Sequence, residues 1–286
     1  MKERKNLTKR LVESSLMIAL GTVLSMLKLV EMPYGGSITL ASMLPIVIVA
    51  YRHGVAMGLG SGLVYAVIQQ LLGLNTLSYF TTWQSVVAII FLDYIIAFTV
   101  VGLGGIFKGK LAAATLDVGG KQTVELCTGM AFVCILRYIC HTVSGATVWA
   151  GLSIPTEAAL IYSIGYNATY MLPETIIGVA VTAWLGGILD LTRSVPTRLA
   201  PRAETSDFAG WYSFLPHVSA LAAVIGVIAD VLLIFPYLQD PESGEFTFTY
   251  LSSVSWVAVG IISAVCIAVS AACAILFAVK KKSTER

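Results

Sequence analysis

The sequence has few charged residues. Asp, Glu, Lys and Arg make up 12% of its 286 residues, whereas 57% are hydrophobic. A soluble globular domain carries about a quarter charged residues. The formal net charge of +2 also lacks the basic excess typical of nucleic-acid-binding proteins. Because apolar stretches of about 20 residues, the length that spans a bilayer, recur along the chain, we expect an all-α integral membrane protein with no nucleic-acid partner.

Paired cysteines and catalytic motifs are also missing. Five cysteines occur, all within apolar stretches and with no C-x-x-C pair, so they predict neither a metal site nor a disulfide framework. No H-E-x-x-H, G-x-S-x-G or P-loop pattern is present. We therefore expect no enzymatic activity, no cofactor and no metal, and any ATP that the process uses must be hydrolysed by another protein.

What the sequence does contain is a series of apolar segments that predicts eight helices. The second is short and contains Pro45, which indicates a kink or a partial span. The predicted helices cover about 10–31, 38–52, 55–73, 84–107, 123–150, 159–191, 211–236 and 250–279.

The distribution of basic residues predicts the orientation. Eight spans place both termini on one side, and the segments on that side carry 16 of the 18 Lys and Arg residues. The opposite loops, around 32–37, 74–83, 151–158 and 237–249, carry none, and the last is acidic. The positive-inside rule therefore places both termini in the cytoplasm.

A polar segment from Leu191 to Gly210, with Pro196 and Pro201, predicts a break between two parts of the chain. We expect a six-helix membrane domain over 1–192, a cytoplasmic linker over 193–210 and a two-helix extension over 211–286. The unusual polar residues of the membrane segments lie almost entirely in the six-helix part.

Three glycines at four-residue spacing, Gly54, Gly58 and Gly62, occur at the start of the third helix. Small residues at this spacing let helix backbones approach closely in lipid. They favour packing within the bundle, and a contact with another subunit is the alternative.

Polar groups at bilayer depth are costly, by about 2.5–3.5 kcal/mol each on insertion scales, so they usually face a cavity or one another. The first such cluster is Asp93-Tyr94 in the fourth helix. A carboxylate there can balance a cationic ligand. The structural alternative is a salt bridge with Arg137.

The second cluster lies in the fifth helix. Arg137, His141, Gly145 and Trp149 are four residues apart and therefore follow one stripe of the helix. His141 and Trp149 are about two turns apart on it, which is enough to flank a flat heteroaromatic ring. A packed histidine that only donates a hydrogen bond is the alternative.

The third cluster runs from Tyr162 to Glu174. Asn167, Tyr170 and Glu174 are spaced i, i+3, i+7 and share one helical face. An asparagine offers both a donor and an acceptor, which suits the edge of an aminopyrimidine, although a hydrogen bond between helices is the alternative. Together the clusters suit an aromatic, partly cationic small molecule.

These clusters, in this order, resemble the thiamine-specific substrate-binding components (ThiT- or YuaJ-like) of energy-coupling-factor transporters. The resemblance covers about residues 8–192. The motifs that carry it are 33–37 (PYGGS), 39–45 (TLASMLP), 51–54 (YRHG), 92–94 (LDY), 137–141 (RYICH) and 162–167 (YSIGYN).

The resemblance implies a six-helix vitamin-binding bundle with its site near the extracellular face. The family's acidic residue, usually glutamate, falls on Asp93, followed by Tyr94. Where some members carry a loop tryptophan, this chain has Gly36 or Ser37, and Tyr34 is expected to substitute. The other expected ligand residues are His141, Trp149, Tyr162, Asn167 and Tyr65.

The resemblance also implies partners and a location. Small residues of the first helix, here Ser15 and Ala19, would dock on a coupling transmembrane subunit that works with two ATPase subunits. The expected location is a bacterial plasma membrane, and the expected ligand is thiamine. A component for another vitamin or a thiamine precursor, or a self-sufficient secondary transporter, is the alternative.

Overall fold

The computed structural model describes residues 2–111, 116, 118–199 and 211–284. Within these residues, eight helices follow one another along the chain, as the sequence predicted, and the all-α fold class is confirmed. Their bounds are α1 Lys2–Met26, α2 Leu44–His53, α3 Val55–Leu72, α4 Trp83–Gly105, α5 Val118–Thr147, α6 Glu157–Ile188, α7 Leu215–Ile234 and α8 Trp256–Thr284.

Two short β-ribbons, which the sequence did not predict, interrupt the helical pattern. Strand β1 (Lys28–Glu31) pairs antiparallel with β2 (Ser37–Thr39), and β3 (Leu189–Asp190) pairs antiparallel with β4 (Thr197–Arg198). The expected extension of the first helix to residue 31, and of the second back to residue 38, is therefore wrong. Short 3-10 segments lie at Leu74–Tyr79, Trp211–Phe214, Phe235–Leu238 and Thr249–Ser253, and Pro33–Gly35 forms a turn with Tyr34 at a φ of 68°.

Six of the helices in the described part of the chain are long and apolar enough to cross a membrane. They are α3, α4, α5, α6, α7 with its continuation to Leu238, and α8 to Val279. Helix α2 has only ten residues, so at about 1.5 Å per residue it extends through roughly half of a bilayer core. Pro45 does not kink it, because the proline stands in the first turn, where no backbone N–H donor is needed.

Helix α2 is the centre of the main core. Its first eight residues, from Leu44 to Tyr51, are all buried. Tyr65 of α3, Val101 of α4 and Met130 of α5 pack in the same apolar cluster. A short helix buried on every side by longer neighbours explains why its sequence is apolar without a polar face.

The glycines of α3 serve packing inside this bundle. A Cβ at Gly58 would collide with the backbone of Gly102 in α4, and one at Gly62 would lie 2.8 Å from the Thr99 carbonyl oxygen. Gly54 has a φ of 93° and joins α2 to α3. These contacts account for Gly58 and Gly62 without another subunit.

The end of the bundle that carries Arg52 is tied together by polar contacts. The Arg52 guanidinium pairs with Glu13 of α1 and donates to the carbonyl oxygen of Leu191 at 2.6 Å. Gln122 of α5 accepts from the Leu191 amide at 3.0 Å. These contacts fix the chain where it leaves α6. Residues 193–199 of the predicted linker are described, and its residues 200–210 lie outside the described part.

The two-helix extension packs against the six-helix part at the end of the bundle that carries the β1–β2 ribbon. Helix α7 packs along α6 and against α8. Leu238 and Phe246 of the extension are buried in a second apolar cluster with Met32 before β2 and with Tyr170 and Met171 of α6. The two parts of the chain therefore share a core at this end.

Candidate functional site

A cavity of about 520 Å³ lies at the end of the bundle where α3 to α6 meet the β1–β2 ribbon. This volume is in the range of small-molecule sites. Seven of the eight ligand residues expected from the sequence line it: Tyr34, Asp93, Tyr94, His141, Trp149, Tyr162 and Asn167.

Asp93 is the polar centre of the cavity. It lies in a π-helical segment of α4, Ile90–Ile96, and such local widening of a helix often marks functional sites. Its Oδ1 lies 3.0 Å from Nδ1 of His141, and its Oδ2 accepts from Ser144 Oγ at 2.9 Å and from Trp149 Nε1 at 3.2 Å. The expected alternative, a salt bridge to Arg137, does not form.

His141 uses one ring nitrogen for Asp93 and leaves the other available. Its Nε2 is buried and has no hydrogen-bond partner among the described residues. A buried unsatisfied nitrogen of this kind costs free energy that a ligand can recover by accepting or donating a hydrogen bond there.

Aromatic rings form the outer wall. The Trp149 indole contacts Phe80 at a centroid distance of 4.7 Å, Tyr79 at 5.7 Å and Tyr34 at 5.9 Å. Tyr34 has a φ of 68°, which aims its ring at this group. Edge and tilted contacts of this kind leave ring faces available for a stacked ligand.

Gly36 has no room for a larger residue. A Cβ there would lie 2.8 Å from the Tyr170 ring. Tyr170 therefore excludes a larger side chain at Gly36, and Tyr34, two residues earlier, places its ring against Trp149.

Asn167 is held within its own helix. Its amide nitrogen donates to the Ser163 carbonyl at 2.8 Å, and its oxygen accepts from Tyr170 OH at 2.6 Å. These bonds fix the orientation of the amide at the cavity surface. The expected face of Asn167, Tyr170 and Glu174 does line the cavity, and the hydrogen bonds of the Asn167 side chain stay inside α6, so the alternative of a bond between helices is not seen.

A buried ion pair forms the floor. Arg137 Nη1 lies 3.2 Å from Glu174 Oε2, and Glu174 Oε1 accepts from Thr39 Oγ1 at 2.6 Å. The Arg137 guanidinium also lies 4.4 Å from the centroid of Phe98. The pair neutralises both charges at this depth, so Asp93 is the carboxylate left to face a cation.

Three of the residues singled out in the sequence lie outside the cavity. Tyr65 is fully buried in the main core, with its ring 5.6 Å from Phe98 and its hydroxyl 3.4 Å from the Gly21 carbonyl oxygen, so it does not line the cavity. Ser15 and Ala19 lie exposed on α1, on a surface with the exposed apolar residues Leu11, Leu16 and Leu20.

The sequence reasoning missed several lining residues. Thr39 and Ser42 lie within a motif that was recognised but were given no role, and Tyr166 was noted only as part of a cluster. Phe80 does not line the cavity but contacts Trp149 behind it, and no sequence pattern pointed to it. Its contribution depends on the path of the loop between α3 and α4.

The groups that line the cavity are suited to binding a small molecule. A carboxylate, an imidazole and several π faces surround a space for a flat cation, and cation–π contact and edge hydrogen bonds are available. Among the described residues, no cluster of three His, Cys, Asp or Glu side chains could hold a metal ion.

The fold and cavity thus define a polytopic helical membrane protein with a small-molecule site at one end. The family described as "Thiamine transporter protein (Thia_YuaJ)" matches residues 11–190. The chain is 34% identical over 180 residues to the "Thiamine transporter ThiT" of Bacillus subtilis (strain 168), a match that covers 62% of this chain and 89% of that protein. The chain belongs to this thiamine transporter family. The expectation of a transporter, and not an enzyme, is confirmed.

A solved structure agrees with the fold. The structure of ThiT from Listeria monocytogenes superposes with a TM-score of 0.50 at 22% identity and covers 64% of this chain and 94% of that one. At this identity the likeness supports the fold of the bundle. The family match ends at residue 190, before the two-helix extension.

Proposed function

We propose that the chain is a high-affinity thiamine-binding subunit of an energy-coupling-factor importer in a bacterial plasma membrane. The observation that carries the proposal is the carboxylate of Asp93, bonded to His141, Ser144 and Trp149 at the wall of an aromatic cavity. Thiamine is a flat heteroaromatic cation. Its thiazolium would be balanced by Asp93, and its aminopyrimidine would stack on Trp149 with edge bonds to His141, Tyr162 or Asn167.

The proposed orientation follows from charge. With both termini in the cytoplasm, the cavity, the β1–β2 ribbon and the acidic loop of the extension face the exterior. Thiamine would then enter from outside. Partner subunits that hydrolyse ATP would drive the reorientation that releases it inward.

Docking on a coupling subunit is proposed for the exposed face of α1. Ser15 and Ala19 are small, and Leu11, Leu16 and Leu20 beside them are 51%, 65% and 47% exposed. A surface of small and apolar residues permits close helix contact in lipid. Thiamine uptake into liposomes by the pure chain alone would instead favour a self-sufficient transporter.

Thiamine binding to purified protein, followed by quenching of tryptophan fluorescence, tests the assignment. We expect Asp93→Asn to weaken binding by about 10- to 100-fold, because a charge-assisted contact is lost from a partly buried site. Glu31→Gln is the matched control, since Glu31 also lines the cavity but is exposed and paired with Lys28.

Two outcomes would contradict the proposal. Wild-type protein that binds no thiamine in a panel with riboflavin and thiamine precursors would remove the ligand assignment. Full affinity of Asp93→Asn, or an equal loss in Glu31→Gln, would remove the charge role of Asp93.

A further inference from the structure

The outer loop of the extension, residues 239–248, is ordered by its own hydrogen bonds. Asp240 Oδ1 accepts from the amides of Glu242 and Ser243 at 2.9 Å each, and the Asp240 amide donates to the Glu245 carbonyl oxygen at 2.8 Å. These backbone donors hold the pKa of the Asp240 carboxyl below its usual value. The turn presents Phe246 inward, where it is only 5% exposed.

Phe246 and Phe248 of this loop contact two tyrosines of α6. The Phe246 ring meets the Tyr166 ring edge-on at a centroid distance of 4.9 Å and the Tyr162 ring at 5.7 Å. Tyr162 OH donates to the Phe246 carbonyl oxygen at 3.3 Å. Phe248 fills the space above Gly165, where a Cβ would lie 2.6 Å from its ring.

Tyr166 carries this contact onward to the rim of the cavity. The Tyr166 hydroxyl donates to the Pro33 carbonyl oxygen, and it accepts a hydrogen bond from the Gly36 amide at 3.4 Å. The turn between Pro33 and Gly36 holds Tyr34 in its positive-φ conformation against Trp149. The path from Phe246 to the aromatic wall therefore consists of direct contacts throughout.

We propose that the outer loop of the extension is a structural part of the ligand site, in which Phe246 and Phe248 position Tyr162 and Tyr166 and, through Tyr166, the turn that carries Tyr34. These positioning residues lie outside the segment that matches the family, which ends at residue 190. The identity of the ligand rests on the proposed function, whereas the positioning of the turn does not.

The charge of the loop suits the same role. Burial, followed by the charge of the nearby Glu245 carboxylate, raises the pKa of the Tyr34 phenol. Glu245 is exposed and adds negative charge beside the aromatic wall. A negative rim favours the approach of a cation.

Binding measurements on the full chain test the proposal. We expect Phe246→Ala and Phe248→Ala each to weaken thiamine binding about three- to tenfold, the value of one aromatic contact. Phe248→Leu, which keeps an apolar side chain over Gly165, should weaken binding less than Phe248→Ala does. Phe214→Ala is the control, because Phe214 is 64% exposed and precedes α7 at the opposite end of the extension.

Amide hydrogen exchange without ligand provides a second readout. Phe246→Ala should raise exchange at Tyr34, Gly35 and Gly36 by about threefold or more, whereas Phe214→Ala should not. In a Tyr166→Leu background, adding Phe246→Ala should produce little further change in exchange or affinity, since the path is already cut.

The outcomes separate the two proposals. Wild-type protein without thiamine affinity would refute the proposed function and leave the exchange experiment as the test of positioning. Unchanged exchange in Phe246→Ala, additive effects with Tyr166→Leu, or an equal effect of Phe214→Ala would each overturn the positioning role. Phe248→Ala supplies the same comparison if Phe246→Ala does not fold.

Discussion

Asp93 lies partly buried with three neutral or titratable partners, and no arginine or lysine of the described residues forms an ion pair with it. The nearby Arg137 is paired with Glu174. A carboxylate in this situation has lost part of its hydration without gaining a fixed counterion. A bound cation would supply that missing interaction.

If thiamine binds as proposed, the fluorescence of the Trp149 indole should report it. We expect Trp149→Phe to weaken thiamine binding about three- to tenfold, because the bond to Asp93 and part of the stacking surface are lost. It should also remove most of the thiamine-dependent fluorescence quenching. Titration of the purified variants measures both.

Trp256→Phe is the control for this experiment. Trp256 is 51% exposed, and its Nε1 donates to the Leu251 carbonyl oxygen in the extension, away from the cavity. It should retain affinity and quenching. Equal loss of quenching in both variants would place the ligand somewhere other than against Trp149.

Local periodicity located most of the candidate residues. Arg137, His141 and Gly145 line the cavity because the helical repeat puts them on one stripe of α5, and Trp149, in the turn that follows the helix, lines it as well. The position of Tyr65 could not be read in this way, since the rotation of α3 depends on its contacts with Phe98 and Gly21. The pairing of Arg137 with Glu174 was equally hidden, as it joins different helices.

Among the secondary-structure elements, the length of each apolar segment predicted the presence of a helix more accurately than it predicted the residues at which the helix begins and ends. Ile38 and Thr39 precede an apolar run and were expected to begin the second helix, but residues 37–39 pair with residues 28–31 as a ribbon. The π-helical segment that carries Asp93 could not be predicted from the sequence either. An extra residue in a helical turn changes the hydrogen-bond pattern but leaves the amino-acid composition unchanged.

The contact between α5 and α6 depends on Gly145. A Cβ there would collide with Ser163 Oγ and lie 3.6 Å from the Asn167 amide nitrogen. We expect Gly145→Ala to lower the free energy of unfolding by about 1–3 kcal/mol through overpacking. Binding of thiamine should weaken as well, since Gly145 lines the cavity.

Gly60→Ala is the matched control in α3. Beyond its own helix backbone, no described atom lies within 4 Å of the point that a Cβ would occupy, so the change should be neutral or stabilise the protein by up to about 1 kcal/mol. Thermal unfolding in detergent compares the two variants. A Gly145→Ala protein as stable as Gly60→Ala would contradict the close contact.

For the whole molecule, the distribution of charge predicts its orientation. A cysteine-free background allows Glu242→Cys in the acidic loop and Lys110→Cys after α4, both exposed positions, to be compared. We expect a membrane-impermeant maleimide to label Glu242→Cys in intact cells. Lys110→Cys should be labelled only after permeabilisation.

The reverse labelling pattern would place the cavity on the cytoplasmic side and contradict uptake from outside. The sequence predicts a division into two parts because each apolar segment is long and the linker is polar, and that division stays a prediction. It could not predict that the second part contributes Leu238 and Phe246 to a core shared with α6. Such a contact joins residues about 70 positions apart in sequence.

The shared packing of α6 and α7 has a mechanical consequence. If the ligand-binding bundle tilts in the bilayer during transport, α7 and α8 must tilt with it, because they are packed along one side of the bundle. The moving body then includes the extension as well as the bundle, and the lipid around it, together with any neighbouring subunit, has to accommodate that larger perimeter at every turnover.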